Sequence, residues 1–141
     1  SSIRAAMITV CTIRLLRTIA FYYTDRIDGR RVVVRYDTAA HRKEIAYDGD
    51  FTGLKNVFEN ALYLSRDKTD GDKMGKEVFR YNMETQQEER ILTLEDIEKM
   101  RYFSVAVLRE GEYIFSIHTR EAGDLSVWYK EGEKEAYLLY K

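Results

Sequence analysis

Ala20-Phe21-Tyr22-Tyr23-Thr24-Asp25-Arg26 and Ala61-Leu62-Tyr63-Leu64-Ser65-Arg66-Asp67 share one pattern, an apolar run that closes on polar and charged residues, and Ile114-Phe115-Ser116-Ile117-His118-Thr119-Arg120 repeats it. A glycine follows each, at Gly29, Gly75 and Gly123. Beyond the glycine comes a second apolar run that closes on a tyrosine: Val32-Val33-Val34-Arg35-Tyr36-Asp37, Val78-Phe79-Arg80-Tyr81-Asn82 and Val127-Trp128-Tyr129-Lys130. The tyrosines lie 45 (81 − 36) and 48 (129 − 81) residues apart. Self-similarity at a period of roughly 20–50 residues marks a chain built from one supersecondary unit used repeatedly.

Each unit has a fourth run ahead of the first and a short one after the second. Phe103 to Leu108, followed by Arg109-Glu110-Gly111-Glu112 and Tyr113, reads as strand, Gly-containing turn and strand. Gly53 to Phe58 takes that place in the second unit and Met7 to Ile13 in the first. A helix over residues 3–20 competes there, but five of the six residues Ile8 to Ile13 are β-branched, which favours strand. The closing runs are Glu44 to Tyr47, Arg90 to Leu92 and Ala136 to Tyr140. The chain is therefore expected to be all-β, a single domain of three four-stranded antiparallel units spanning about 7–50, 51–100 and 101–141. Thr93 to Met100, with Thr93 placed to cap and acids in the first turn, is the one stretch that predicts a helix.

Units of this size and composition, each closing on an aromatic residue that Asp37 and Asn82 follow in the first two, resemble the blades of TolB-like and related bacterial β-propellers. The resemblance covers nearly the whole chain. It lacks the Gly-His and Trp-Asp pairs of tryptophan-aspartate repeats, since Trp128 precedes Tyr129, and the double glycine of kelch repeats. Three units do not close a ring, so the resemblance implies a fragment of a larger propeller or an assembling part of one. The alternative is a calycin-like barrel or sandwich of consecutive hairpins. In a complete chain, exposed end faces carrying Val32, Val34, Val78 and Trp128 predict a homodimer closed by first-to-last contact.

Composition narrows function by exclusion. The net charge of -1 gives no global attraction to nucleic acid, although residues 1–45 carry +5 and the remainder -6, as two halves of one fold that complement each other would. Arg14 and Arg17 interrupt the apolar stretch Ala5 to Tyr23, so no membrane span is expected. Cys11 is the only cysteine and cannot form an internal disulfide; Val10 before it is larger than a lipoprotein cleavage site requires.

The sequence shows no Gly-x-Ser-x-Gly elbow, His-Glu-x-x-His, Cys-x-x-Cys or Gly-x-Gly-x-x-Gly. Gly71 to Lys76 is too short for a phosphate loop and puts Glu77 where Ser or Thr should stand. Asp67, Asp70 and Asp72 share what reads as the longest loop but lack the spacing of a calcium loop. No catalytic residue, metal or cofactor is expected. The expectation is a non-enzymatic binding or scaffolding module whose loops between the second and third strands, carrying Asp25, Arg26, Arg66, Asp67, His118 and Arg120, meet a protein or polar ligand. His41 reads as a solvated turn residue. A small-ligand or carbohydrate-binding barrel and the propeller part of a larger hydrolase are the other readings.

Overall fold

A computed structural model describes residues 11–15, 18–95, 100–119 and 124–141. Among them are twelve strands and no helix: β1 (Cys11–Leu15), β2 (Thr18–Ile27), β3 (Arg30–Asp37), β4 (Arg42–Tyr47), β5 (Gly53–Phe58), β6 (Ala61–Asp70), β7 (Lys73–Asn82), β8 (Glu88–Glu95), β9 (Met100–Arg109), β10 (Glu112–Thr119), β11 (Leu125–Glu131) and β12 (Tyr137–Tyr140). Each run of four consecutive strands forms its own antiparallel sheet, with neighbours in chain order. The chain is thus all-β, with three separate open sheets, which fit a non-closed sandwich or a propeller-like arrangement rather than one closed barrel. The first strands lie nearest one another, β5 packing against β1 and β2 on one side and β9 on the other. Asn56 Nδ2 donates to the Val105 carbonyl at 2.9 Å and Lys55 Nζ to the Phe103 carbonyl at 3.1 Å, tying β5 to β9 through side chains.

Turn chemistry sets the registers. Asp28 and Gly29 both have positive φ, 52° and 77°, the two-residue turn whose twist matches the flanking strands. In the second unit that task falls to Gly71, with φ 62°, and Asp72. The expected long loop is instead a hairpin paired from Ala61↔Asn82 to Asp70↔Lys73. Gly75 lies inside β7 opposite Glu95, where a Cβ would come within 2.6 Å of the Leu94 carbonyl oxygen. Its glycine serves close backbone approach, not the turn expected from alignment with Gly29.

Two expected elements shift. Thr93, Leu94 and Glu95 are strand, not the start of a helix: they pair with Glu77, Lys76 and Gly75, and Leu94 is buried. Tertiary pairing and burial outweigh the modest helix preference there. The rest of that expected helix, residues 96–99, lies outside the described residues, as do Met7 to Val10 of the expected first strand; the described part of β1 runs on to Leu15.

The middle sheet is covered on both faces. Ala61 to Ser65 are all at most 2% exposed. Because side chains alternate along a strand, an unbroken buried run requires cover on both sides. Leu62, Leu64 and Phe79 pack with Tyr22, Val33 and Tyr47 of the first sheet, while Tyr63 and Val78 pack with Phe103, Val105 and Phe115 of the last. Tyr23, Val32 and Val34 form a smaller cluster on the opposite face of the first sheet. Of the apolar residues expected at exposed end faces, Val32, Val34 and Val78 are therefore buried and Trp128 packs against the cluster between middle and last sheets. Among the described residues, Ile27, Ile45 and Met74 are exposed on the first and middle sheets, and the other exposed large hydrophobic side chains lie on the last sheet, at Tyr102, Leu108 and Tyr137 to Tyr140. No described helix is long and apolar enough to cross a membrane.

Candidate functional site

The residue after each closing tyrosine governs the turn between third and fourth strands. Asp37 Oδ1 accepts from the amides of Ala39 and Ala40 at 2.9 and 3.0 Å, and Asn82 Oδ1 from those of Glu84 and Thr85 at 2.9 and 3.1 Å. The Ala40 amide is the chief influence holding the Asp37 carboxyl below the usual carboxylate range. These are side-chain-to-backbone turns, so the tyrosine-Asp/Asn pair has a structural cause. The third unit reverses the polarity. Lys130 fills the position, and its ammonium donates to the carbonyls of Gly132 at 2.8 Å and Lys134 at 2.6 Å. Lys130 is 8% exposed.

Lys130 lines a cleft of about 570 Å³ between the middle and last sheets. One wall carries Arg80, Glu89, Arg90 and Ile91; the other carries Tyr113, Lys130 and the turn residues Glu110, Gly111, Gly132 and Glu133. Arg80 reaches across to Glu110 at 3.4 Å. The Gly132 amide donates to the Gly111 carbonyl at 2.7 Å, locking the two turns together. Gly111 and Gly132 sit at φ 84° and 54°, left-handed conformations that glycine adopts without strain. Tyr113 is buried, its ring edge-on to Tyr63 at 5.6 Å, and burial followed by the neighbouring Tyr63 hydroxyl pushes its phenol pKa well up. The cleft presents fixed charges of both signs beside a tyrosine that stays protonated.

The residues singled out from sequence are dispersed. Asp25 and Arg26 lie within β2, paired with Val32 and Arg31. Arg26 Nη1 donates to the Gly29 carbonyl at 3.2 Å. Arg66 lies within β6 and is committed internally: its guanidinium covers the Phe79 ring at 3.8 Å, its Nε lies 3.1 Å from Glu77 Oε2, and it also binds Glu88. Tyr47 of the first sheet donates to Glu88 at 2.8 Å, so Arg66 and Glu88 lock first and middle sheets together. Burial works against the Glu88 carboxylate, yet hydrogen bonds from Arg66 and Tyr47 outweigh it and lower its pKa. Asp67 accepts from Lys76 at 2.8 Å. His118 stacks on Tyr102 at 4.2 Å, on the outer face of the last sheet. His41 Nδ1 lies 3.4 Å from the Tyr36 hydroxyl. Arg120 lies outside the described residues.

No family model, curated protein or solved structure matches this chain. The site must therefore be read from its own chemistry. Among the described residues, no three of His, Cys, Asp and Glu gather as a metal site would require. Lys55 is a displaced basic group: burial, then the charge of Lys76, pushes its pKa down to about 8, while its ammonium sits 4.0 Å over the Phe103 ring. The cleft lies at the end of the sheets opposite the turns between second and third strands. Its one signal in the sequence was Lys130 standing where the other units have Asp37 and Asn82.

Proposed function

We propose that this chain is a non-enzymatic binding module that takes a small polar ligand, or the charged end of a peptide, in the cleft between its middle and last sheets. The supporting observation is the lining itself: each wall carries both signs, Arg80, Arg90 and Glu89 on one and Lys130, Glu110 and Glu133 on the other, around one concavity of about 570 Å³. Ligand pockets commonly fall in the range of roughly 300–1,000 Å³. A lining of both signs favours a ligand that also carries both, because a singly charged one would leave half of the polar wall unmatched. The amide link from Gly132 to Gly111 holds the two turns in place, so little ordering is required on binding. The buried tyrosines Tyr47, Tyr63 and Tyr113 are occupied in packing between sheets, which speaks against aromatic platforms for sugars there.

The test is an amide-resolved NMR titration with free amino acids, short charged peptides and citrate. Shifts at Gly111, Gly132 and Glu133, lost in an Arg80→Ala, Glu110→Ala double variant, are expected for a zwitterionic probe. Shifts confined to the Asp28-Gly29 and Gly71-Asp72 turns would move the site back to the other end, and no response from any probe would remove the small-ligand reading.

A further inference from the structure

The last strand of the last sheet is open. Tyr137, Leu138, Leu139 and Tyr140 of β12 are 55%, 44%, 50% and 64% exposed, and β12 is an edge that pairs only with β11 among the described strands. Edge strands are usually protected by charge or proline within the strand, and β12 has neither. Its ladder with β11 matches Leu138 with Trp128 and Tyr140 with Val127, leaving Leu139 unmatched.

Tyr-Leu-Leu-Tyr reads the same in both directions. Two copies laid antiparallel about a twofold axis between Leu138 and Leu139 therefore match Tyr137 with Tyr140 of the second copy, and Leu138 with Leu139. The flanking charges select the same arrangement. Glu133-Lys134-Glu135, with one net negative charge, precedes the strand and Lys141 follows it. Antiparallel pairing sets the acidic end of one copy beside the lysine of the other, whereas parallel pairing sets like beside like. We propose that two copies of this chain associate through their β12 edges, joining the two last sheets into one continuous sheet. First-to-last closure, expected from sequence, needs a free outer face on the first sheet, where Tyr23, Val32 and Val34 are already buried. The pairing does not depend on what the cleft binds. Four residues a side fall well short of the roughly 20–30 of a standard interface, so the dimer is weak and concentration-dependent.

Light scattering after size exclusion, on the full chain across a wide micromolar range, tests it. The expected result is a mass that climbs from one chain toward two. The Leu138→Lys, Leu139→Lys variant sets lysine against lysine across the axis and should weaken dimerisation at least tenfold while its circular dichroism stays unchanged; Leu138→Glu, Leu139→Glu should do the same. An equal mixture of the two should restore the dimer, which a merely structural role for the leucines would not produce. If the double variants fold poorly, Leu139→Lys alone, at the residue unmatched on β11, sets a lysine against Leu138 of the second copy and should weaken the dimer without disturbing the ladder with β11. A wild-type monomer throughout, a dimer that the folded lysine variant keeps, or a folded mixture that fails to pair overturns the proposal.

Discussion

Lys55 should make the stability of this chain rise with pH in a range where most proteins lose it. Its ammonium is enclosed between β5 and β9, over the Phe103 ring, and its pKa is pushed down to about 8 from 10.5. Between those two values the unfolded chain holds a proton at this site that the folded chain has released, so stability increases with pH there. Below about pH 8 the cost of burying the cation is fully present; above about pH 10.5 it has gone. Each pH unit is a factor of ten, so the window corresponds to at most ~3 kcal/mol, and solvent reaching the half-buried group reduces that to ~2 kcal/mol. Urea unfolding of the wild type and of Lys55→Met at pH 7, 8.5 and 10 isolates the effect, because every other ionisable side chain is common to both. The wild type should gain on the variant by ~2 kcal/mol from pH 7 to 10. A difference that stays flat, or that falls with pH, refutes the enclosure of this ammonium.

Arg66→Ala should cost ~2–4 kcal/mol in urea unfolding, because it strips Glu77 and Glu88 of their partner and uncovers Phe79, whereas Arg26→Ala should stay within ~0.5 kcal/mol. Equal effects would mean that Arg66 does not join the first and middle sheets. Gly75→Ala should destabilise by ~1–3 kcal/mol, as the new methyl has backbone to meet; Gly71→Ala would act by a different route, through left-handed strain in the turn, and both would show in thermal melts. Phe115→Ala should cost ~3–5 kcal/mol and Leu108→Ala less than ~1, since they occupy opposite faces of the last sheet; similar losses in chemical denaturation would contradict that division.

Much of the architecture was legible because repetition and alternation act locally. The β5 boundaries, Gly53 to Phe58, match the sequence reading, and all four runs of the third unit fall within the observed strands apart from Ala136 and Arg120, the latter outside the described residues. The misreadings came where a distant partner decided the outcome. Thr93 to Glu95 follow β7 because Lys76 and Glu77 offer a ladder, and nothing in the local sequence announces that ladder. Residues 67–75 look like a loop because their charges and glycines suit one, yet Asp67 and Lys76 satisfy each other across a hairpin. The cleft was less legible still. Arg80, Glu110 and Lys130 are separated by 30 and 20 residues (110 − 80; 130 − 110), and only the stacking of two sheets brings them together. Arg66, read from sequence as a loop residue, lies within β6, and nothing in its local sequence announces Glu77 and Glu88 beside it or Tyr47 on Glu88.

The double cover of the middle sheet bears on how the molecule comes apart. In a stack where each layer touches only its neighbours, an end layer can loosen while the others persist, but the central one cannot open without releasing both. Backbone amides of β6 and β7 should therefore exchange with solvent only through global unfolding, and those of β12, at an unpaired edge, through local fraying. A ligand in the cleft would hold the middle and last layers together and slow exchange in β10 and β11 while leaving β2 and β3 as they were. Protection measured strand by strand would then report occupancy of the cleft from backbone signals far from it.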